Sequence, residues 1–172
     1  TTFLLIEGFD VYPDVASTSQ GVQARWLAAT TGVPAYSGSL QTGRFGGQCY
    51  QTAYDGGGHA RGIAFALYPA LSGGSALAMG MALNLGTPIQ QVRAFALYNN
   101  GPTGTAIMGV GVNNSQQPYI WVGTDTSPVA TATLPISTLS WHYFELTWSG
   151  SATVGVATLY VDGVQQCTFT GN

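Results

Sequence analysis

Residues 141–170 read WHYFELTWSGSATVGVATLYVDGVQQCTFT, and the fold class follows from this stretch. Apolar and polar side chains alternate along Trp141–Trp148 and along Val156–Val161, which is the period of a half-buried β-strand. Asp162-Gly163 is the preferred pair for a two-residue hairpin turn, because both turn positions require a positive φ. Val164–Thr170 then returns as a strand. The C-terminal part of the chain is therefore predicted to be antiparallel β-structure.

The rest of the chain repeats this pattern, with short apolar runs broken by turn residues about every ten positions. Such spacing predicts an all-β sandwich or barrel. A loop rich in Gly, Ser, Thr and Pro is predicted from Thr30 to Gly43. With the three C-terminal strands, about eleven strands and no convincing helix are expected. The eight preceding strands are predicted at Thr2–Ile6, Val22–Leu27, Gln48–Ala53, Arg61–Tyr68, Ala76–Leu83, Val92–Tyr98, Thr105–Val112 and Tyr119–Gly123.

One segment is ambiguous between helix and strand. Ala76–Leu85 is rich in Ala, Leu and Met, which suits a helix on propensity alone. Gly80 inside the segment and the glycines that flank it favour a strand. We therefore predict a strand here.

The chain carries very few charges: 4 arginines, no lysine and 7 acidic residues among 172, with a net charge of −3. Charged residues make up 6% of the chain, against about 25% in a typical soluble domain. Scattered arginines do not make the basic stripe that phosphate binding needs, so no nucleic-acid partner is expected. No apolar run approaches the ~18 residues of a membrane-spanning helix, so no membrane insertion is expected.

A surface with so little charge has weak repulsion to keep copies of the protein apart. This favours a protein that is packed in an assembly, and a homo-oligomer is the expected state. The alternative is a secreted protein with a plain neutral surface.

The two cysteines, Cys49 and Cys167, have no metal-binding spacing. Both lie in apolar, strand-like runs, which favours two buried free thiols. A disulfide between them remains the alternative.

Five segments of the chain, taken in order, form a recognisable set: Glu7-Gly8-Phe9-Asp10, Arg25-Trp26, Gly43–Gln48, Trp141–Leu146 and Leu159–Val164. Together they resemble the concanavalin A-like lectin/glucanase superfamily, the laminin-G-like jelly roll. Within it they are most similar to domains of tailed-phage virion proteins. The resemblance spans nearly the whole chain and implies a single domain over residues 1–172, with two curved antiparallel sheets packed face to face.

The sequence differs from this family in one respect. Chains of this family usually continue past the last hairpin into a strand that closes the sheet, whereas this sequence stops at Gly171-Asn172. We expect either that the protein is longer or that a neighbouring subunit covers the open edge, because an uncovered edge strand promotes association.

No catalytic residue is predicted. A retaining glycosidase needs two carboxylates about 5–5.5 Å apart, as on positions i and i+2 of one strand. Glu7 and Asp10 are three apart, and Glu145 has no acidic neighbour on its strand. His142 is interpreted as a strand residue that packs its ring. No metal or cofactor is predicted either, since the calcium-type oxygen donors Asn113, Asn114, Asp125 and Asp162 match by residue type only.

Glycan binding is the main alternative to assembly. Tyr119, Trp121 and Asp125, with Gln116 and Gln117 nearby, have the aromatic, carboxylate and amide groups that hold sugars. The competing interpretation is that Trp121 faces the core and that Tyr119, two residues away, shares its face.

The sequence therefore predicts a non-enzymatic structural protein of a phage virion, either a capsid decoration or a tail or fibre component. Its partners would be other virion proteins. A carbohydrate-binding module, on a virion or secreted, is the second expectation, and a secreted glycan hydrolase is the third. The assembly role depends partly on family likeness, which does not by itself determine function.

Overall fold

The computed structural model describes residues 27–28, 38–42, 45, 48–52, 63–64, 76–86, 91–98, 105–123, 127–150 and 154–171. This part of the chain is all-β and contains no helix. Accordingly, no helix in these ranges has the length and apolar character to cross a membrane. The chain divides into two compact units, residues 1–70 with 100–104 and residues 71–99 with 105–172.

In the first unit the described strands form two short antiparallel pairs. β1 pairs with β4, and β2 pairs with β3 in the register that sets Gly38 opposite Thr52. The predicted loop Thr30–Gly43 is therefore wrong over its last part, because ladder hydrogen bonds to β3 override the weak strand propensity of Gly and Ser. The strands are β1 (Leu27–Ala28), β2 (Gly38–Thr42), β3 (Gln48–Thr52) and β4 (Ile63–Ala64).

The second unit contains two four-stranded antiparallel sheets. Sheet I has the order β12-β11-β10-β5, and sheet II has the order β6-β7-β8-β9. The strands are β5 (Ala76–Asn84), β6 (Val92–Tyr98), β7 (Ala106–Val112), β8 (Pro118–Val122), β9 (Pro128–Thr131), β10 (Trp141–Ser149), β11 (Gly155–Val161) and β12 (Val164–Gly171).

The predicted strands of this unit match the observed ones closely, and the ambiguous segment Ala76–Leu85 does form a strand. β9 was not predicted. It begins at Pro128, where the missing N–H is tolerated, and it lies at an edge of sheet II. With β2 and β9, the described residues hold twelve strands rather than about eleven.

Several expectations fall outside the described residues. These are the strand Thr2–Ile6 and most of Val22–Leu27 and Arg61–Tyr68. The single domain over 1–172 and the missing closing strand stay predictions.

In sheet I the buried side chains come from alternating strand positions, whereas consecutive residues are buried on β7 and β8 of sheet II. In sheet I, Phe144 and Leu146 of β10 and Leu159 of β11 are fully or almost fully buried. In sheet II, Val110 of β7 and Ile120 of β8 have no exposed surface. Each large side chain buried in this way contributes about 1.5–3 kcal/mol to folding.

The two sheets contact each other through β12. The Sγ atom of Cys167 lies 3.7 Å from the carbonyl oxygen of Ala130 on β9. A cleft of about 140 Å³ is lined from both sheets, by Met108 and Val122 on one side and by Trp148 and Phe169 on the other. Residues of both sheets therefore line one cleft.

The turn between β11 and β12 has the predicted backbone. Asp162 has a φ of 51° and Gly163 a φ of 79°. The backbone N–H of Asp162 donates to the carbonyl of Tyr143 at 2.8 Å, which ties the turn to the start of β10.

We expect Gly163→Val to lower the free energy of unfolding by roughly 1 kcal/mol or more, because a β-branched residue fits poorly at a positive φ. A Cβ atom at this position would meet no atom within 4 Å, so the effect is conformational rather than steric. Urea denaturation measures it. Gly163→Asn is the matched control, since Asn tolerates this backbone region. Equal stability of the Val and Asn variants would contradict the assigned turn.

Candidate functional site

The predicted glycan-binding rings lie inside the protein. Tyr119 and Trp121 on β8 have no exposed surface. Their rings cover Gly111 and Gly109 of β7, where a Cβ atom on Gly109 would lie 2.5 Å from the Cζ2 atom of Trp121. Neither ring offers a free face on which a sugar could stack. Asp125, the third predicted residue, lies outside the described residues.

The polar neighbours of these rings fit a packing role. The side-chain amide of Gln91 donates to the hydroxyl of Tyr119 at 2.9 Å. The Arg93 guanidinium lies 5.7 Å from the centre of the Trp121 ring, within cation–π range. The indole N–H of Trp121 is buried without a hydrogen-bond partner. Such an orphaned donor costs about 1–3 kcal/mol, which the burial of the large ring offsets.

The amide side chains expected to hold a sugar or calcium are instead used to shape the β7–β8 loop. The Asn113 side-chain oxygen accepts hydrogen bonds from the backbone N–H groups of Ser115 at 2.9 Å and Gln117 at 3.0 Å. The Gln117 side chain bonds the Asn113 amide and the carbonyl of Thr133. Across the described ranges, no three His, Cys, Asp or Glu side chains are grouped as a metal site.

The structure brings together three residues that the sequence analysis did not connect: Ser137, His142 and Asp162. His142 Nδ1 lies 2.6 Å from a carboxylate oxygen of Asp162. His142 Nε2 lies 2.9 Å from the hydroxyl of Ser137. We call these three residues the latch.

The pairing of β10 with β11 positions the latch. This register sets Phe144 opposite Val161. His142 lies two residues before Phe144 on β10, so it is next to the turn that Asp162 begins. The second carboxylate oxygen of Asp162 accepts the backbone N–H of Tyr143 at 2.8 Å. The Asp162-Gly163 turn sets the register of β11 with β12 and not that of β10 with β11, so it did not reveal the His142–Asp162 contact. No local signal in the sequence points to Ser137.

The hydrogen bonds of the latch are arranged as in a serine–histidine–aspartate triad. Their details, however, fit a structural role, in which the latch holds the loop before β10 against the β11–β12 turn. His142 Nε2 also lies 3.1 Å from the carbonyl oxygen of Ser137. A neutral ring with its proton on Nδ1 accepts from the Ser137 hydroxyl, and a protonated ring donates to the Ser137 carbonyl. Asp162 has a partner in both states. The latch thus secures the bend that contains Leu139, a non-glycine residue with a φ of 62°.

We expect Asp162→Asn to lower the free energy of unfolding by roughly 1 kcal/mol, because the amide keeps the turn preference but replaces an acceptor-only carboxylate. Ser137→Ala should also destabilise the protein, and Ser149→Ala, at the exposed far end of β10, is its matched control. Urea denaturation measures all three variants.

Two outcomes would contradict the fastening role. One is identical stability of the Ser137 and Ser149 variants. The other is hydrolysis of p-nitrophenyl acetate by the native protein that disappears in Ser137→Ala, because that would make the latch a nucleophilic site.

Cys167 is a free thiol in the structure. It is partly buried, and its S–H points to the carbonyl of Ala130. Burial raises the pKa of this thiol from 9.0 to about 11, against a smaller opposing effect of a backbone hydrogen bond at Ile120. The free-thiol interpretation is therefore confirmed for Cys167. The side chain of Cys49 lies outside the described residues.

In a Cys49→Ser background, we expect Cys167 to react with a disulfide reagent at pH 8 about 100-fold more slowly than free cysteine with its pKa near 9, because little thiolate is present. The pKa is raised in the folded state, so stability should fall as the pH rises from 9 towards 11. A reaction as fast as that of an unfolded control would contradict the burial of this thiol.

Comparison with known proteins adds no family to these observations. No protein-family model matches the chain, and neither a curated protein nor a solved structure matches it significantly.

Proposed function

We propose that this chain is a non-enzymatic structural protein of a phage virion, a capsid decoration or a tail or fibre component, and that it acts through protein–protein contacts. In this proposal sheets I and II are the two layers of a jelly-roll sandwich of the concanavalin A-like kind. The motifs in residues 7–10, 25–26, 43–48, 141–146 and 159–164 support the family. The low charge of the chain supports packing against other proteins.

The observation that carries the proposal is a set of exposed aliphatic side chains beside the latch. Leu134, Leu139 and Val164 are 71%, 66% and 63% exposed. Each lies within three residues of Ser137 or Asp162 in the sequence. We call these three residues the apolar rim. Exposed aliphatic side chains that flank linked residues in this way support a contact surface for another protein.

The segment that carries Leu134 and Leu139 is held in place by hydrogen bonds as well as by the burial of Ile136. The latch ties Ser137 to the β11–β12 turn. The backbone N–H of Ile136 donates to the carbonyl of Gln116 at 2.9 Å, which anchors the same segment to the β7–β8 loop. A segment fixed in advance loses less conformational entropy when a partner binds, so a rigid rim favours association.

Charge supports the same conclusion. Only 4 arginines and 7 acidic residues are spread over 172 positions. Approaching copies therefore meet little electrostatic repulsion, and the apolar contact decides whether they stay together.

We expect the native chain to self-associate at micromolar concentration, and the double variant Leu139→Ser with Val164→Thr to shift it towards the monomer, because two aliphatic contacts are removed. Size-exclusion chromatography with light scattering measures the change. Val129→Thr, at an exposed aliphatic position on β9, is the matched control and should leave association intact.

A native chain that remains a soluble monomer across this range would contradict association through the rim. The virion location has its own test, which is a mass-spectrometric inventory of purified particles of the phage that encodes the chain. Absence of the chain from those particles would overturn the virion assignment.

A further inference from the structure

One edge of sheet I can accept a further strand. β5 is the last strand in the order β12-β11-β10-β5, and among the described residues it pairs only with β10. Backbone N–H and C=O groups alternate sides along an antiparallel strand, so about half of those on β5 point away from β10. Ala76, Ala78 and Gly80 are exposed on this strand. We call the side of β5 that faces away from β10 the β5 edge.

The other edge strands of sheets I and II are protected in ways that β5 is not. β9 begins with Pro128 and β6 carries Arg93. The ladders that join β6, β9 and β12 to their neighbours each contain a register shift. Charge, proline and bulges at an edge all discourage pairing with another chain. β5 has nine residues with no charge and no proline, and its register with β10 is unbroken.

The sequence of β5 indicates which strand fits this edge. Residues 76–84 read ALAMGMALN, so residues 77–83 read the same in both directions around Gly80. An antiparallel pair reverses one strand, so two copies of such a strand that meet at their centres set identical residue types opposite each other. With Gly80 opposite Gly80 of the second copy, the pairs are Leu77 with Leu83, Ala78 with Ala82 and Met79 with Met81.

The side chains of β5 suit a pair of this kind. Met79 and Met81 lie opposite the buried Leu146 and Phe144 of β10, so they are on the face of sheet I that carries its core. Met81 is nevertheless 36% exposed. In the pair, Met79 of the second copy covers it, and the flexible thioethers adapt to one another. The other face of β5 carries only Ala, Gly and Asn, which do not hinder the approach of a second backbone.

We propose that β5 pairs antiparallel with β5 of a second copy of this chain, with the two Gly80 residues opposite each other on a two-fold axis. The two four-stranded sheets I then join into one continuous sheet of eight strands. Each copy uses its β5 edge once, so the contact closes as a dimer and does not extend into a fibre. The pairing uses no residue of the apolar rim, and it does not depend on the virion function.

The first test traps this register with a disulfide, in a background that lacks both native cysteines (Cys49→Ser with Cys167→Ala). A chain with Ala78→Cys is mixed with a chain with Ala82→Cys, and the mixture is oxidised at micromolar concentration. We expect the mixture to give about tenfold more covalent dimer than either chain alone. Only the mixed pair sets two cysteines directly opposite, within the distance that a disulfide can bridge.

Ala76→Cys, used in place of Ala82→Cys, is the matched control for the mixture. Position 76 faces position 84 in this register, so its thiol is too far from position 78 of the second copy to form a disulfide. The trap should also work in the Leu139→Ser, Val164→Thr background, because the apolar rim takes no part in it. Loss of rim association therefore leaves this result unchanged, which separates the two interfaces.

The second test uses charge at the same two positions, in the Leu139→Ser, Val164→Thr background. Ala78→Lys with Ala82→Lys sets lysine opposite lysine twice, whereas Ala78→Lys with Ala82→Glu sets lysine opposite glutamate twice. Like charges directly opposite each other destabilise a strand pair, and opposite charges stabilise it. Light scattering should therefore show that the dimer of the first variant dissociates at a concentration about tenfold higher or more than that of the second.

Either test can overturn the proposal. It fails if the mixture of Ala78→Cys and Ala82→Cys chains gives no more covalent dimer than each chain alone. It also fails if the two charge variants associate equally. A mixture of Ala76→Cys and Ala78→Cys chains that reacts as well as the expected pair would contradict the register centred on Gly80.

Discussion

The register between β10 and its two neighbours is the constraint on which the second unit depends. Because side chains alternate along a strand, this register places Phe144 and Leu146 in the core. It leaves Tyr143 and Glu145 on the opposite face of sheet I, which points away from the core. A slip of one residue would exchange the two sets, exposing the apolar side chains and burying a carboxylate. The buried side chains on β10 and β11 make that exchange costly, so they determine the composition of the surface as well as that of the core.

Glycines opposite aromatic rings recur in both sheets, with different consequences. On sheet II, Gly109 and Gly111 make room for Trp121 and Tyr119, which are fully buried. On sheet I, Gly80 makes room for Tyr143, which stays partly exposed. The same local packing thus gives a structural pair in one sheet and an accessible ring in the other. Exposure, rather than residue type, separates the partly exposed ring of Tyr143 from the two rings that serve packing.

The latch connects the hairpin to the proposed assembly surface. Asp162 ends β11, accepts from the backbone of Tyr143 and holds His142, which in turn holds Ser137. The position of the apolar rim therefore depends in part on polar contacts that begin at the Asp162-Gly163 turn, together with the burial of Ile136.

The sequence by itself determined the strands of the C-terminal part and the positive-φ turn at Asp162-Gly163, because strand period and turn chemistry are properties of neighbouring residues. It did not predict β2, which begins with Gly and Ser, or β9, which begins with Pro, because these residues disfavour strands and the segments are held by pairing with a partner strand. Only the tertiary structure decided that Tyr119 and Trp121 are buried, since burial depends on what covers a face of the sheet. It alone brought Ser137 to His142, and among the described residues it placed Glu145 opposite Gly80 and Tyr160 without a hydrogen-bond or ion-pair partner. Contacts of this kind join residues from separate strands and loops, and their geometry exists only once the sheets have formed.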